Sequence, residues 1–83
     1  MRDEVFIRGA VPMTKSEVRA VSLSKLELRQ DSILYDVGAG TGSVSIEAAF
    51  ALSKGRVYAI EKKPEAIELI QANKEKFSAE NVT

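Results

Sequence analysis

Apolar residues recur along this chain in two rhythms. Ile33-Leu34-Tyr35 and Val57-Tyr58-Ala59-Ile60 are short, nearly continuous apolar runs, the pattern of strands covered on both faces of a parallel sheet. Between and around them the spacing is helical. Val18, Val21 and Leu26, with Ala20 and Leu23 beside them, form a broad stripe before the first run, and Val44 to Leu52 forms another between the runs. After the second run Ala66, Ile67, Leu69, Ile70 and Phe77 make a sheet-facing stripe, opposite Glu65, Glu68, Lys74 and Glu75. The alternation predicts an α/β fold with helix 14–28, strand 33–37, helix 42–53, strand 56–60 and helix 64–77. Strands flanking a single helix are expected to be parallel neighbours joined by a right-handed crossover.

Punctuation fits these elements. Gly9 and Pro12 interrupt a leader over 1–13, and Pro12 biases Val11 toward extended geometry. Thr14-Lys15-Ser16-Glu17 has the form of a capping box, in which a hydroxyl and a carboxylate each take a free end amide. Arg29 to Ser32 makes the turn into the first strand. Lys54 and Gly55 suit the end of the second helix, with Gly55 in a left-handed cap position. Pro64 suits the first position of the third, where a missing amide proton costs nothing. After Ser78-Ala79-Glu80-Asn81, Val82 and Thr83 read as the opening of a third strand. The expectation is therefore the N-terminal part, 1–83, of one longer domain, with an unpaired sheet edge that invites homo-oligomerisation.

Composition narrows the partners. The chain has 83 residues, below the usual domain size of roughly 100–150, and with 45% hydrophobic and 29% charged residues it is globular rather than disordered. Twelve basic and twelve acidic residues cancel, which argues against a general nucleic-acid binder but not against one anionic ligand. With no cysteine and no histidine, disulfides, thiolate metal sites and imidazole chemistry are excluded, and no metal is expected. No run approaches the ~18 apolar residues of a membrane span, and Met1-Arg2-Asp3-Glu4 opens without a signal-like segment, so a cytoplasmic protein is expected.

The candidate chemistry lies in Asp36-Val37-Gly38-Ala39-Gly40-Thr41-Gly42 and in Glu61. Strand, glycine turn, helix, strand and terminal acid form the unit that holds a ribose-bearing cofactor at the carboxyl edge of a parallel sheet. The glycines permit a tight turn, bare backbone against a ligand and close approach of helix to sheet. Amides at Thr41 to Ser43 face the ligand side, and Glu61 can accept from both ribose hydroxyls. A plain loop and a solvated strand-end acid beside Lys62 and Lys63 are the competing structural readings. The spelling D-x-G-x-G-x-G departs from the dinucleotide fingerprint G-x-G-x-x-G, which counts against NAD and FAD.

That spelling resembles motif I of the class I S-adenosylmethionine-dependent methyltransferases. The resemblance implies a Rossmann-like three-layer α/β/α fold, with Asp36 organising the loop and helping to hold the cofactor's amino group. The leader Asp3-Glu4-Val5-Phe6-Ile7-Arg8, then Val11-Pro12-Met13-Thr14-Lys15-Ser16-Glu17-Val18-Arg19, is similar to the cobalamin-pathway methyltransferases that act on precorrin-6 at C15 with decarboxylation. The segments from Asp36 to Glu47 and Tyr58 to Ala66, and Asn81-Val82-Thr83, resemble the same family. The likeness covers essentially the whole chain but only about the first half of a family member. It implies S-adenosylmethionine as cofactor, held by Thr14, Asp36, Gly38, Ala39, Gly40, Thr41, Gly42 and Glu61. It also implies an anionic precorrin tetrapyrrole as substrate, drawn by Arg8, Lys15 and Arg19, and oligomeric assembly. Thr14 as a helix cap and the three basic residues as ordinary surface charge are the plainer readings. A class I methyltransferase with another substrate, or a cofactor-binding piece inactive by itself, remain as alternatives.

Overall fold

The computed structural model describes all of residues 1–83. A short 3-10 turn at Asp3–Val5 precedes α1 (Ser16–Leu26), β1 (Ile33–Val37), α2 (Ser43–Ala51), β2 (Arg56–Ile60) and α3 (Pro64–Lys76). Both strands have the expected bounds and pair in parallel, Ile33 opposite Arg56 and Val37 opposite Ile60. Apolar runs bounded by turn residues fix strand ends sharply. Helix ends depend on caps: α1 and α2 are one or two residues shorter at each end than their stripes suggest, while α3 starts at Pro64 as expected and ends one residue early.

The core lies on one face of this sheet. Ile46, Ala48 and Ala49 of α2, with Leu52 just past its end, meet Val57 of β2, and Phe6, Ala79 and Val82 close the cluster. Phe77 packs its ring 5.3 Å from Phe6. Beyond α3 the chain returns to β2: Val57 donates to Asn81 O, and Thr83 donates to Val57 O, each at 2.8 Å. Val82 thus forms a parallel bridge with Val57, as the sequence suggested for a third strand. Asn81 secures this return by donating from Nδ2 to the carbonyls of Ala49 and Leu52.

The other face is open. Ile33, Tyr35, Val37 and Ile60 are exposed, and Tyr35 stacks on Tyr58 with centroids 5.3 Å apart. These residues therefore supply one helical layer of the expected α/β fold. The stripe of α1 is likewise uncovered, with Val18, Val21 and Leu26 all exposed, and Ile67 on α3 faces solvent rather than the sheet.

Two expected caps are absent. Lys15, not Thr14, is the N-cap of α1, and no side chain bonds the helix end there. Gly55 is not left-handed. It is required by contact instead, because a Cβ there would lie 2.0 Å from the carbonyl oxygen of Ser32. Glycine here lets the approach to β2 touch the approach to β1.

Candidate cofactor-binding site

The glycine turn is spliced onto the end of β2. The amides of Gly38 and Ala39 both donate to Ile60 O, at 2.8 and 3.1 Å. Gly42 closes the turn on Ala39 O, and its own carbonyl accepts from Ile46 to start α2. Gly38, Gly40 and Gly42 all have positive φ, at 74°, 59° and 84°, so side chains would be strained at each. Their surroundings differ. A Cβ on Gly42 would press Ile70 of α3 at 3.2 Å, and one on Gly40 would press Pro12 O of the leader at 3.3 Å. A Cβ on Gly38 would meet nothing within 4 Å. The turn is braced from behind and bare in front.

Two carboxylates flank it. Glu61 spans from β2 to the turn, accepting the Gly40 amide on Oε1 at 2.9 Å and the amides of Lys62 and Lys63 on Oε2 at 3.0 and 3.3 Å. The Gly40 bond, then those from Lys63 and Lys62, hold its carboxyl below the usual range. Asp36 is half-buried at the end of β1, and its Oδ2 accepts from Ser45 Oγ at 2.7 Å. Burial pushes its pKa up, outweighing the Ser45 bonds that pull it down, and the Glu61 charge adds to the rise. Val37, Gly38, Ile60, Glu61 and Lys62 line an open cleft of about 320 Å³ at the carboxyl ends of both strands. A second hollow of about 370 Å³, between Gly9–Val11 and α3, contains none of the expected site residues.

The structure thus joins Asp36, Gly38, Ala39, Gly40, Thr41, Gly42 and Glu61 in one place. Thr41 is buried, and its Oγ1 is the buried side-chain polar atom without a hydrogen-bond partner. Thr14 is exposed, and its carbonyl accepts from Arg19 Nη1 while its hydroxyl caps nothing. Arg8 and Lys15 are exposed.

Arg19 departs from its expected place. It is 0% exposed, with its guanidinium donating to Asp3 Oδ1 at 2.8 Å, Met1 O at 2.6 Å and Glu47 Oε1 at 3.3 Å, besides Thr14 O. Its carbon lies 5.0 Å from the Phe6 ring centroid. A guanidinium with four of its five donors engaged and no exposed surface is closed to a substrate carboxylate, so Arg19 ties the leader to α2. Sequence reasoning assigned no role to Ser45 or to Asn73, a buried amide on α3 that bonds both leader and turn. For Asn73 a signal existed: it stands three and seven residues after Ile70 and Ala66, on the inner stripe of α3. Ser45 reaches Asp36 only through the turn and gives no comparable sign.

A parallel strand–glycine turn–helix–strand unit, closed by a carboxylate at the second strand's end, is the arrangement by which Rossmann-like folds hold a cofactor at the carboxyl edge of the sheet. The precorrin methyltransferase domain family matches residues 4–83, and the chain belongs to that family. It is 55% identical over 83 residues to the cobalt-precorrin-6B C(15)-methyltransferase (decarboxylating) of Salmonella typhimurium, covering 99% of this chain and 43% of that protein. It superposes with a TM-score of 0.94 on the precorrin-6Y C5,15-methyltransferase of Geobacter metallireducens, 46% identical, covering 100% of this chain and 44% of that one. The precorrin 8W decarboxylase of Methanobacterium thermoautotrophicum superposes at 0.90 with 37% identity, again over 100% of this chain and 45% of the other. The chain therefore spans less than half the length of these relatives.

Proposed function

We propose that this segment is the S-adenosylmethionine-binding part of an enzyme that methylates a precorrin tetrapyrrole at C15 and decarboxylates its acetate side chain. The observation that carries the reading is the bare backbone at Gly38 facing the cleft that Glu61 also lines, in a chain of the precorrin methyltransferase family. The donor set fits the cofactor. Glu61 keeps an acceptor site for a ribose hydroxyl beyond its three amides, since a carboxylate offers about four lone-pair sites. Asp36 offers a carboxylate for an ammonium group, and Gly38 leaves room for the methionine portion. S-Adenosylmethionine supplies an already activated methyl group, so the protein's part is to hold and align. No histidine or cysteine is needed for that, and none is present. Arg8 and Lys15 are the exposed cations left to attract a polycarboxylate substrate, and Thr14 adds an exposed hydroxyl near the leader.

Calorimetry on a chain of the relatives' full length tests the cofactor: S-adenosylhomocysteine should bind and NAD should not. Labelled cofactor mixed with precorrin should give methylated, decarboxylated product with that chain and none with residues 1–83 alone. Binding of NAD in preference, or turnover by the 83-residue segment, would overturn the respective half of the reading.

A further inference from the structure

Asn73 is the one side chain that bonds both the leader and the glycine turn. It has 0% exposure. Its Oδ1 accepts from the Ile7 amide at 2.7 Å, and its Nδ2 donates to Ile7 O at 2.8 Å and to Thr41 O at 2.9 Å. Both amide hydrogens and the oxygen are used. Only this orientation serves, because the reversed amide would set its oxygen against two carbonyl oxygens. Toward Ile7 the side chain imitates a strand partner, giving and taking one bond from the same residue, so it reads backbone and not side-chain identity. Toward the turn it holds the carbonyl immediately before Gly42, where Ile70, one helical turn earlier on α3, fills the space a side chain would take. The leader meets the turn again at Pro12 O, beside Gly40.

We propose that Asn73 is a positioning residue for the cofactor turn. By tying Thr41 and the leader to the same point of α3, it holds Gly38 to Gly42 in binding geometry before any ligand arrives. The inference rests on the cofactor reading above and adds that the leader belongs to the cofactor site through this amide. The plain alternative is a buried polar residue that only stabilises the core. The two differ in what a variant should change.

Asn73→Asp keeps the size and replaces both donors with lone pairs aimed at the Ile7 and Thr41 carbonyls. Val82→Ala is the comparison variant, since Val82 lies in the core and makes no side-chain bond to the turn. Both are made in a chain of the relatives' full length and studied well below their melting temperatures. In ligand-free protein, Asn73→Asp should move the Gly40 and Gly42 amide resonances and speed exchange at Gly42 and Ile46, whose bonds define the turn and the start of α2. It should weaken S-adenosylhomocysteine about tenfold or more. Val82→Ala should leave resonances and affinity near those of the parent even where it lowers the melting temperature as much. Parent-like resonances and affinity in Asn73→Asp, or an affinity loss no larger than that of Val82→Ala, overturn the proposal. If Asn73→Asp does not fold, Asn73→Ala removes the same bonds without repulsion and is read in the same way. A parent protein that binds no S-adenosylhomocysteine refutes the cofactor reading, while the ligand-free resonances still decide whether Asn73 sets the turn.

Discussion

The two faces of the sheet contrast sharply although their residues are equally apolar. Toward the helices, Val57 is sealed against Ile46, Ala49 and Leu52, and Leu34 and Ala59 pack onto the same cluster. Away from them, Ile33, Tyr35 and Val37 stand free, Val37 with 77% of its surface exposed. Alternation within the strands sends neighbours to opposite sides, so one five-residue run feeds a finished core and an unfinished one. The chain covers 43 to 45% of its relatives' lengths, and the open face is where we expect a longer chain to pack its second helical layer. The cleft lies at the carboxyl ends of the strands and so borders both faces. Its rear wall is complete, and its front is Val37, Gly38 and Ile60.

Mutations on the two faces sharpen the contrast. Leu52→Ala, in the closed core, should destabilise by about 2–5 kcal/mol in urea denaturation, whether the chain is 83 residues or full length. Val37→Ala should change the 83-residue segment by no more than about 0.5 kcal/mol. In a chain of the relatives' length the same change should cost ~1 kcal/mol or more, because the methyls are then buried. A Val37→Ala cost that does not grow with chain length would break the expectation that this face becomes core.

The site offers a smaller comparison, between two acids at the start of α3. Glu61→Ala should weaken S-adenosylhomocysteine at least about tenfold by calorimetry, and Glu65→Ala by less than about twofold. Beside the proposed ribose contact, the Oε1 of Glu61 holds Gly40. Glu61→Gln separates them: the amide oxygen can still take the Gly40 bond, while the charge that favours ribose hydroxyls is lost. Affinity restored fully by Glu61→Gln would make the loop bond the larger contribution. Equal affinity of all variants would make Glu61 a surface acid.

What the sequence revealed follows a physical division. Strands 33–37 and 56–60 were legible to the residue, because apolar runs between turn residues have few other uses. Asp36, the glycines and Glu61 were legible because backbone turns demand particular residues at particular spacings. Thr14 failed as a cap because a hydroxyl at the right spacing is permitted, not obliged, to bond the helix end. The stripe on α1 predicted burial, yet periodicity reports an apolar face without saying whether these 83 residues cover it. Arg19 misled for the opposite reason. A charge reads as surface until its partners are known, and Asp3 and Glu47 lie far from it in sequence. Asn73 was overlooked likewise, its partners Ile7 and Thr41 being backbone groups that no composition reveals.

The smallest expected effect contrasts the two site carboxylates through pH. Asp36 has its pKa raised in the fold, chiefly by burial. The protonated form is thus the one that favours folding, and its contribution is present below the unfolded pKa and lost as pH rises through the higher folded value. Glu61 runs the other way: its lowered pKa gives stability above the unfolded value that disappears as pH falls through the folded one. Asp36→Asn fixes the neutral state and keeps an oxygen for the Ser45 hydroxyl. Ligand-free Asp36→Asn should therefore melt slightly higher than the parent at pH 7. The difference should shrink as the pH is lowered through the raised Asp36 pKa, because the parent then becomes neutral there as well. At pH 7 the same variant should bind S-adenosylhomocysteine more weakly, having lost its charge toward the ammonium group. Higher stability with lower affinity is what a charge buried for function produces. A variant that melts no higher than the parent at neutral pH would show that the Ser45 bonds already offset the burial of Asp36.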